Sequence, residues 1–342
     1  MSDTTLQILW YLVFAIVLCG YVVLDGFDLG VGALHLFARN DTERRIFLNA
    51  IGPVWDGNEV WLIVTAGALF AGFPFAYATI CSAFYLIIMA ILAGLIFRAV
   101  AIEIRSKVHT PAWRSVWDTT FCLASILLAL AFGLLIGNLI EGLPLDETHE
   151  FRGTFSSLFS WYSILVAFMV LSLLALHGGI YLIMKTEGEL HDRLRGWTVP
   201  LIAVFAILYV SATITTLIHR PHMAARFQEH FWPVLIALLN VLAVANIAIQ
   251  IRRRKDGWAF VSSTVTILCF VTLYALGTYP YIVRSTINTA VNSLTISNSY
   301  ASAKTLGILL IIVVIGVPLA LTYTISIYYI FRGKVRLEET SY

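Results

Sequence analysis

Charged residues are scarce in this sequence, and their scarcity argues against a soluble protein. Only 12% of the 342 residues are charged, whereas 59% are hydrophobic. A soluble domain carries about 25% charged residues, because water must solvate its surface. Most of the outer surface must therefore face an environment as apolar as the core, which predicts an all-α integral membrane protein. The net charge of +2 is too small to attract nucleic acid.

Cysteine and proline are also rare, and their positions argue against two classes of protein. None of the four cysteines has a neighbouring cysteine at metal-ligand spacing, which argues against a disulfide framework or a zinc site. Few prolines interrupt the apolar runs, which argues against the broken helices of many secondary transporters. The cysteines are Cys19, Cys81, Cys122 and Cys269.

Long apolar runs fill most of the remaining sequence. A membrane-spanning helix needs about 20 mostly apolar residues, and nine segments meet this requirement. The predicted spans are Leu6–Ala38, Ile51–Gly72, Ala78–Ile104, Val116–Ile140, Phe159–Met184, Val199–Ile218, Phe231–Ile251, Trp258–Tyr281 and Thr305–Phe331. Only short loops separate them, so residues 1–342 are predicted to form a single polytopic membrane domain.

The basic residues predict how these spans are oriented. Seventeen of the 22 lysines and arginines lie where the odd-numbered spans end. Because basic loops remain in the cytoplasm, the N-terminus is predicted outside and the C-terminus inside. Spans one to four and five to eight then have the same orientation. The sequence leaves open a duplication into two four-helix bundles, 1–141 and 159–281, with an extra helix at 305–331.

Four carboxylates lie inside the first two predicted spans. Asp25 and Asp28 are three residues apart in span one, and Asp56 and Glu59 have the same spacing in span two. Each pair therefore occupies one helical face. The short connection 39–50 makes the two helices antiparallel neighbours, so the acidic faces are predicted to converge. At a rise of about 1.5 Å per residue, Asp28 lies about 15 Å from the end of its span.

Exposing a carboxylate to lipid costs several kcal/mol, so carboxylates inside a membrane are rare and face the protein interior. Their presence therefore indicates a functional site. Crowded and partly desolvated carboxyl groups also bind protons more readily, which favours a proton-relay site. The structural alternative is that these side chains cap helix breaks beside Gly26, Gly30, Gly52 and Gly57. The functional hypothesis is preferred, and the structural one stays open.

Histidines and other polar residues give weaker signals. His177 lies well inside a span, and a hydrogen-bonded structural role is favoured for it over haem ligation. His219, His222 and His230 lie in an outer loop and are interpreted as solvated rather than as a metal site. Three further residues lie near the predicted cytoplasmic ends. Glu103 and Arg105 are interpreted as interfacial, whereas Asp118 could either cap span four or join the acidic group.

Several motifs in the chain resemble one known family. The strings are Asp25-Gly-Phe-Asp-Leu-Gly-Val-Gly32, Asn40-Asp-Thr-Glu-Arg-Arg45, Gly52-Pro-Val-Trp-Asp-Gly-Asn-Glu-Val-Trp61, Trp113-Arg-Ser-Val-Trp-Asp118, Gly137-Asn-Leu-Ile-Glu-Gly142 and Gly188-Glu-Leu-His191. Together with the length and the nine predicted spans, they resemble subunit II of cytochrome bd-type quinol oxidases. The motifs are densest in the first hundred residues and become sparse after about residue 200.

The resemblance implies a subunit of a bacterial cell-membrane oxidase that oxidises quinol and reduces dioxygen to water, supporting proton-motive force. It implies a homologous subunit I as the partner in a pseudo-symmetric heterodimer, with a small single-helix subunit as a further candidate. Haems b and d are expected in subunit I, and no haem or metal ligand is expected in this chain. A structural quinone in this subunit is a candidate cofactor that the sequence does not test.

The resemblance also implies roles for the acidic motif. Asp56 would serve a cytoplasmic proton-entry route at the subunit interface, Asp25 and Asp28 would line it, and Glu59 would belong to the same group. The supporting residues of the motif are Trp55, Gly57 and Asn58. The competing hypothesis is a proton-coupled secondary transporter, which would share the intramembrane acids and the number of spans.

Overall fold

The chain is almost entirely α-helical, as its long apolar runs predict. This computed structural model describes residues 2–337, apart from the side chain of Arg226. The α-helices are α1 (Asp3–Leu34), α2 (Asp41–Ile51), α3 (Trp55–Gly72), α4 (Pro74–Ala83), α5 (Tyr85–Ile104), α6 (Pro111–Glu141), α7 (Trp161–Lys185), α8 (Gly188–His219), α9 (Ala225–Glu229), α10 (Trp232–Arg252), α11 (Asp256–Thr278), α12 (Thr289–Asn292) and α13 (Ala303–Ile330). Strands β1 (Tyr281–Val283) and β2 (Leu294–Thr295) pair antiparallel.

Within the described residues, eight helices are long and apolar enough to cross a membrane. They coincide with eight of the nine predicted spans, which confirms a multi-pass membrane protein. Helix α3, in the predicted second span, is not among them. Its first five residues include Asp56, Asn58 and Glu59, which lower its hydropathy. The ninth span therefore stays a prediction.

Two predicted spans are not continuous helices. The span Ile51–Gly72 is divided, because α2 ends at Ile51 and the turn 52–54 precedes α3. The span Ala78–Ile104 is also divided, since the backbone of Phe84 leaves helical geometry between α4 and α5. Helix α4 begins earlier than predicted, at Pro74, a residue that suits the first turn of a helix.

Helix α1 lies at the centre of the bundle, where it packs against α3, α6, α7 and α11. Its closest approach is to α7, where Gly30 and Gly178 face each other. A Cβ atom on Gly30 would overlap the carbonyl oxygen of Leu174, and one on Gly178 would overlap the backbone of Val31. Small residues are needed here because the two backbones are almost in contact. This crossing fixes the depth of α1 beside α7.

Two irregular segments form a cap over the end of the bundle where α1 begins. The segment 142–160 joins α6 to α7, and the segment 279–302 carries β1 and β2. They hydrogen-bond to each other, from Leu143 N to the carbonyl oxygen of Arg284 (2.8 Å) and from Thr286 N to that of Leu143 (2.9 Å). The functional candidates Asp25, Asp28 and Glu59 lie away from this cap, toward the end where α1 terminates.

Candidate functional site

An ion pair inside the bundle connects α1 with α5. Asp25 is completely buried, and its Oδ1 lies 2.6 Å from Nη2 of Arg98, which is equally inaccessible. The same nitrogen lies 3.1 Å from Oε2 of Glu59, whose side chain is 19% exposed. A buried charge requires a close partner, and Arg98 therefore serves two carboxylates from two different helices.

Asp28 is buried beside this ion pair but has a neutral partner. Its Oδ2 accepts a hydrogen bond of 2.8 Å from Nδ2 of Asn58 in α3. The carbonyl oxygen of the same amide accepts a 2.9 Å hydrogen bond from Oη of Tyr328 in α13. The amide orientation is thereby fixed, with its N–H₂ group directed at the carboxyl group. Asn58 links three helices through these contacts.

The cluster contains more acids than cations. Asp25, Asp28 and Glu59 face one guanidinium group, that of Arg98. The cluster therefore holds two more carboxyl groups than cations in a poorly solvated part of the bundle. Several polar atoms around it have no partner among the described residues, namely Asp25 Oδ2, Asp28 Oδ1, Tyr21 Oη, and Arg98 Nε and Nη1. They have free capacity to hydrogen-bond ordered water.

Asp56 lies one helical turn from this cluster but points outward. Its side chain is exposed in the first turn of α3, three residues before Glu59. Trp55 beside it is buried, and Gly57 is half-buried. The structure therefore joins three of the four predicted acids in one buried group and leaves the fourth on the surface next to it. Glu59, partly exposed and bonded to Arg98, lies between the two.

Arg98 was not identified as a site residue from the sequence. Its position near the end of a predicted span grouped it with the basic residues that signal orientation. The structure places it on the buried face of α5 instead. The available signal was an excess of intramembrane acids without a cation, which requires a partner from another helix.

A second polar cluster lies where α1 ends. Asp118 accepts from Nε2 of His35 (2.6 Å), Nη1 of Arg44 (3.0 Å) and Nε of Arg105 (2.8 Å). Arg105 also pairs with Asp41 at 2.6 Å. The interfacial interpretation of Arg105 is therefore wrong, since the residue is only 1% exposed. Asp118 is not a cap, because α6 begins seven residues earlier at Pro111, and its partners are basic side chains rather than the acids of the first cluster.

Helix α2 is held against this end by another carboxylate. Glu43 accepts from the backbone N–H of Arg39 (2.7 Å) and pairs closely with Arg193 of α8. Partial burial alone would raise the pKa of Glu43, but the hydrogen bonds from Arg193 and Arg39 outweigh it and lower that pKa. Asn40 caps the same helix by accepting from Glu43 N at 2.9 Å.

The buried histidine inside the bundle is committed to structural contacts. His177 contacts the carbonyl oxygen of Val23 through Nε2 (3.1 Å) and Oγ of Ser263 through Nδ1 (2.7 Å). Its ring also stacks on Phe260 at 4.7 Å. Both nitrogens have partners within the chain, so the site does not fit an axial haem ligand. Within residues 2–337, no group of three His, Cys, Asp or Glu side chains could hold a metal ion.

Comparison with known proteins identifies the family of the chain. The family described as cytochrome bd terminal oxidase subunit II matches residues 6–331. Cytochrome bd-I ubiquinol oxidase subunit 2 of Escherichia coli K12 is 32% identical over 98% of this chain and 96% of its own length. Cytochrome bd ubiquinol oxidase subunit 2 of Bacillus subtilis is 33% identical over 98% of both chains.

The fold also matches a solved structure. A chain in the structure of bd oxidase from Geobacillus thermodenitrificans superposes with a TM-score of 0.77, at 15% sequence identity, over 96% of this chain and 98% of that one. At this identity the match shows the fold alone. The family match and the curated relatives each span nearly the whole chain, and on these grounds the chain belongs to the cytochrome bd terminal oxidase subunit II family.

Proposed function

We propose that this chain is the subunit of a bacterial cell-membrane quinol oxidase that binds no haem and stabilises a haem-bearing subunit I. Two curated relatives carry the name ubiquinol oxidase subunit 2, which supports quinol oxidation and dioxygen reduction by the complex. The lack of fit at His177 supports the assignment of haems b and d to the partner. The family assignment is the reason for preferring this function to proton-coupled transport.

The proposal includes nine spans, with the N-terminus outside. Helix α3 has 18 residues, which at about 1.5 Å per residue extend about 27 Å, close to the thickness of the hydrocarbon layer. It is antiparallel to α1 in this arrangement and packs along it. Its polar first turn is at the same end as the buried acids, where Arg98, Asn58 and the partner subunit would shield it from lipid.

An internal duplication is part of the same proposal. If 1–141 and 159–281 are repeats, α1 corresponds to α7, α3 to α8, α5 to α10 and α6 to α11. The packing supports this correspondence, since α1 packs on α3 as α7 packs on α8, and α5 on α6 as α10 on α11. The contacts of α6 with α7 and of α1 with α11 are likewise equivalent. The axis relating the halves would pass near Gly30 and Gly178.

We propose that protons enter the complex at Asp56 and continue through the buried cluster. Asp56 would exchange protons with the cytoplasm, and Glu59, one turn further along α3, would receive them. Arg98 binds both Glu59 and Asp25, so a change in the charge of one carboxylate alters the proton affinity of the other. Asp28, which accepts a hydrogen bond from the neutral side chain of Asn58, would be a further member of the route.

The observation that supports this route best is that the exposed Asp56 lies next to a buried cluster with more carboxyl groups than cations. Exposed apolar residues continue from Asp56 along the same helix, among them Val60, Ile63 and Val64. An exposed carboxylate above an apolar face is costly in lipid, so a partner must cover it. We propose that this face of α3 contacts subunit I, so that Asp56 lies at the edge of the contact, where the proposed route begins. When bound in subunit I, the haems supply the electron transfer and dioxygen chemistry.

The test is Asp56→Asn in the intact complex. Asparagine keeps the shape of aspartate but cannot titrate, so turnover with excess quinol is expected to fall by about 10²-fold, the typical scale for a lost proton-transfer group. Haem content and assembly should remain normal. Asp28→Asn is expected to cause a smaller loss, because Asp25 and Glu59 remain. Oxygen consumption per haem, measured across pH, distinguishes these outcomes.

A matched control is Glu187→Gln, since Glu187 is exposed at the same end of the bundle and lies outside the cluster. It should leave turnover unchanged. Unchanged turnover per haem in Asp56→Asn would remove this residue from the route. Loss of assembled complex with normal turnover in the remainder would instead favour a structural role.

A further inference from the structure

Four consecutive basic residues form the turn between α10 and α11. Arg252, Arg253, Arg254 and Lys255 are all exposed. Arg254 has a left-handed backbone conformation (φ 56°), and Lys255 N closes the turn on the carbonyl oxygen of Gln250 at 3.0 Å. Within residues 2–337, no hydrogen bond or ion pair involves any of these four side chains. The turn therefore concentrates four uncompensated positive charges.

Several other basic residues at this end of the bundle have internal partners. Arg105 and Arg114 pair with Asp41, Arg193 pairs with Glu43, and Lys185 donates to the carbonyl oxygen of Phe331. These side chains stabilise the fold. The preference for basic residues on the cytoplasmic side explains why this turn is basic. It does not explain why all four side chains lack a partner within the protein.

The nearest acid does not neutralise the turn. Asp256 follows it directly but pairs closely with Arg195 of α8 and lies 3.6 Å from Nε2 of His191. Its charge is therefore directed into the bundle. The four basic side chains remain available to an anion from outside the protein.

An open, mostly apolar groove begins beside the turn. It is shallow and wide open, and Lys255, Asp256, Gly257, Trp258 and Val261 line it. Trp258 is 61% exposed and Val261 47% exposed. Leu268, also exposed, continues the same face two turns beyond Val261. The groove thus joins a cationic end to an apolar stripe along α11.

We propose that this turn and groove bind one anionic phospholipid. The phosphate would lie against the guanidinium groups of the turn, because the planar donors of arginine match phosphate geometry. An acyl chain would follow Trp258, Val261 and Leu268. Clusters of four or more basic residues next to a membrane helix favour anionic headgroups, and tryptophan is typical of the headgroup level. Zwitterionic lipids lack the net charge that would compensate the turn.

Native mass spectrometry of the intact complex tests the proposal. The delipidated complex is titrated with phosphatidylglycerol and, separately, with phosphatidylcholine of the same acyl chains. The variant R252Q/R253Q/R254Q should bind phosphatidylglycerol on the order of 100-fold more weakly at one site, since each basic residue near an anionic surface contributes about a factor of five. Phosphatidylcholine binding should be weak in both proteins.

Two control variants separate the turn from general charge. R39Q/K107Q/R332Q removes three positive charges at scattered positions near the same end and should keep the site. R252K/R253K/R254K preserves the charge of the turn but lacks the planar donors of arginine, so its affinity should lie between those of the wild type and the glutamine variant. The mass of each ion identifies the assembled complexes, and only these are counted. If the triple glutamine variant does not assemble, the single variant Arg253→Gln is used, and it should weaken binding about fivefold.

Three results would overturn the proposal. One is an equal loss of phosphatidylglycerol in the scattered variant, and another is undiminished binding in the glutamine variant of the turn. The third is displacement of the lipid by glycerol 3-phosphate at equal concentration, since this soluble anion has the phosphate but cannot occupy the apolar groove.

Discussion

Replacing Arg98 by glutamine removes the cation that faces Asp25 inside the bundle. The carboxylate is completely buried, and the nitrogen of Arg98 lies only 2.6 Å from it. Removing one partner of a buried ion pair costs about 3–5 kcal/mol, because the other charge is left uncompensated. Glu59 also loses its partner but is partly exposed, so it adds about 1 kcal/mol or less. We expect the free energy of unfolding to fall by about 4 kcal/mol.

The same structure predicts a rescue. In the double variant Arg98→Gln/Asp25→Asn both charges are absent, and two amides can hydrogen-bond to each other. A neutral hydrogen bond contributes about 1 kcal/mol, so most of the lost stability should return. The measurement is denaturant-induced dissociation and unfolding of the purified complex in mixed micelles, carried out for both single variants and the double variant.

The reasoning fails if the double variant is as unstable as Arg98→Gln. That result would mean that the shape and packing of the arginine, rather than its charge, stabilise the bundle. Glu59→Gln is the matched control, because it removes a carboxylate from the same guanidinium group at a partly exposed position. It should cost about 1 kcal/mol or less.

Two further changes test the packing of the helices. Glu43→Gln should lower stability by about 1 kcal/mol at neutral pH; because hydrogen bonds from Arg193 and the backbone lower the pKa of Glu43, the difference should persist above about pH 4.3 and disappear as the pH falls through the lowered pKa. Gly30→Ala should cost at least about 3 kcal/mol and reduce assembly, because its Cβ would overlap the backbone of Leu174. Gly196→Ala, with no atom near its Cβ, should not destabilise. Thermal unfolding across pH and complex yield check these outcomes.

A destabilisation by Glu43→Gln that stays constant from neutral pH to below about pH 4 would show that the charge of this carboxylate is not involved. A well-assembled Gly30→Ala complex would show that α1 can move away from α7 without loss, and the close crossing would then not fix the depth of α1.

Hydropathy predicted most of the fold because lipid permits only helices with satisfied backbones at these lengths. The predicted spans coincide with helices, but two of the boundaries were wrong. The breaks before α3 and at Phe84 depend on single backbone angles, and average apolarity does not respond to them. Because the first turn of α3 is polar, composition alone does not decide whether this helix is a ninth span.

The acidic cluster was predictable from helical spacing, since residues three apart share a face and a short connection pairs the helices. Its cation was not, because Arg98 lies 73 residues from Asp25 and no local pattern relates them. The direction of Asp56 also depends on how α3 is rotated about its axis. That rotation is set by packing against α1 and α13, which the sequence of one helix does not determine.

The long separation between Asp25 and Arg98 has a consequence for biosynthesis. At about 5–20 residues per second, the ribosome needs roughly 4–15 s to make the arginine after the aspartate. During that interval α1 carries two carboxyl groups toward the bilayer without their cation, and α7, its closest neighbour, is synthesised later still. The ion pair that buries Asp25 can therefore form only after α5 has been synthesised, so the native environment of α1 is completed late in translation.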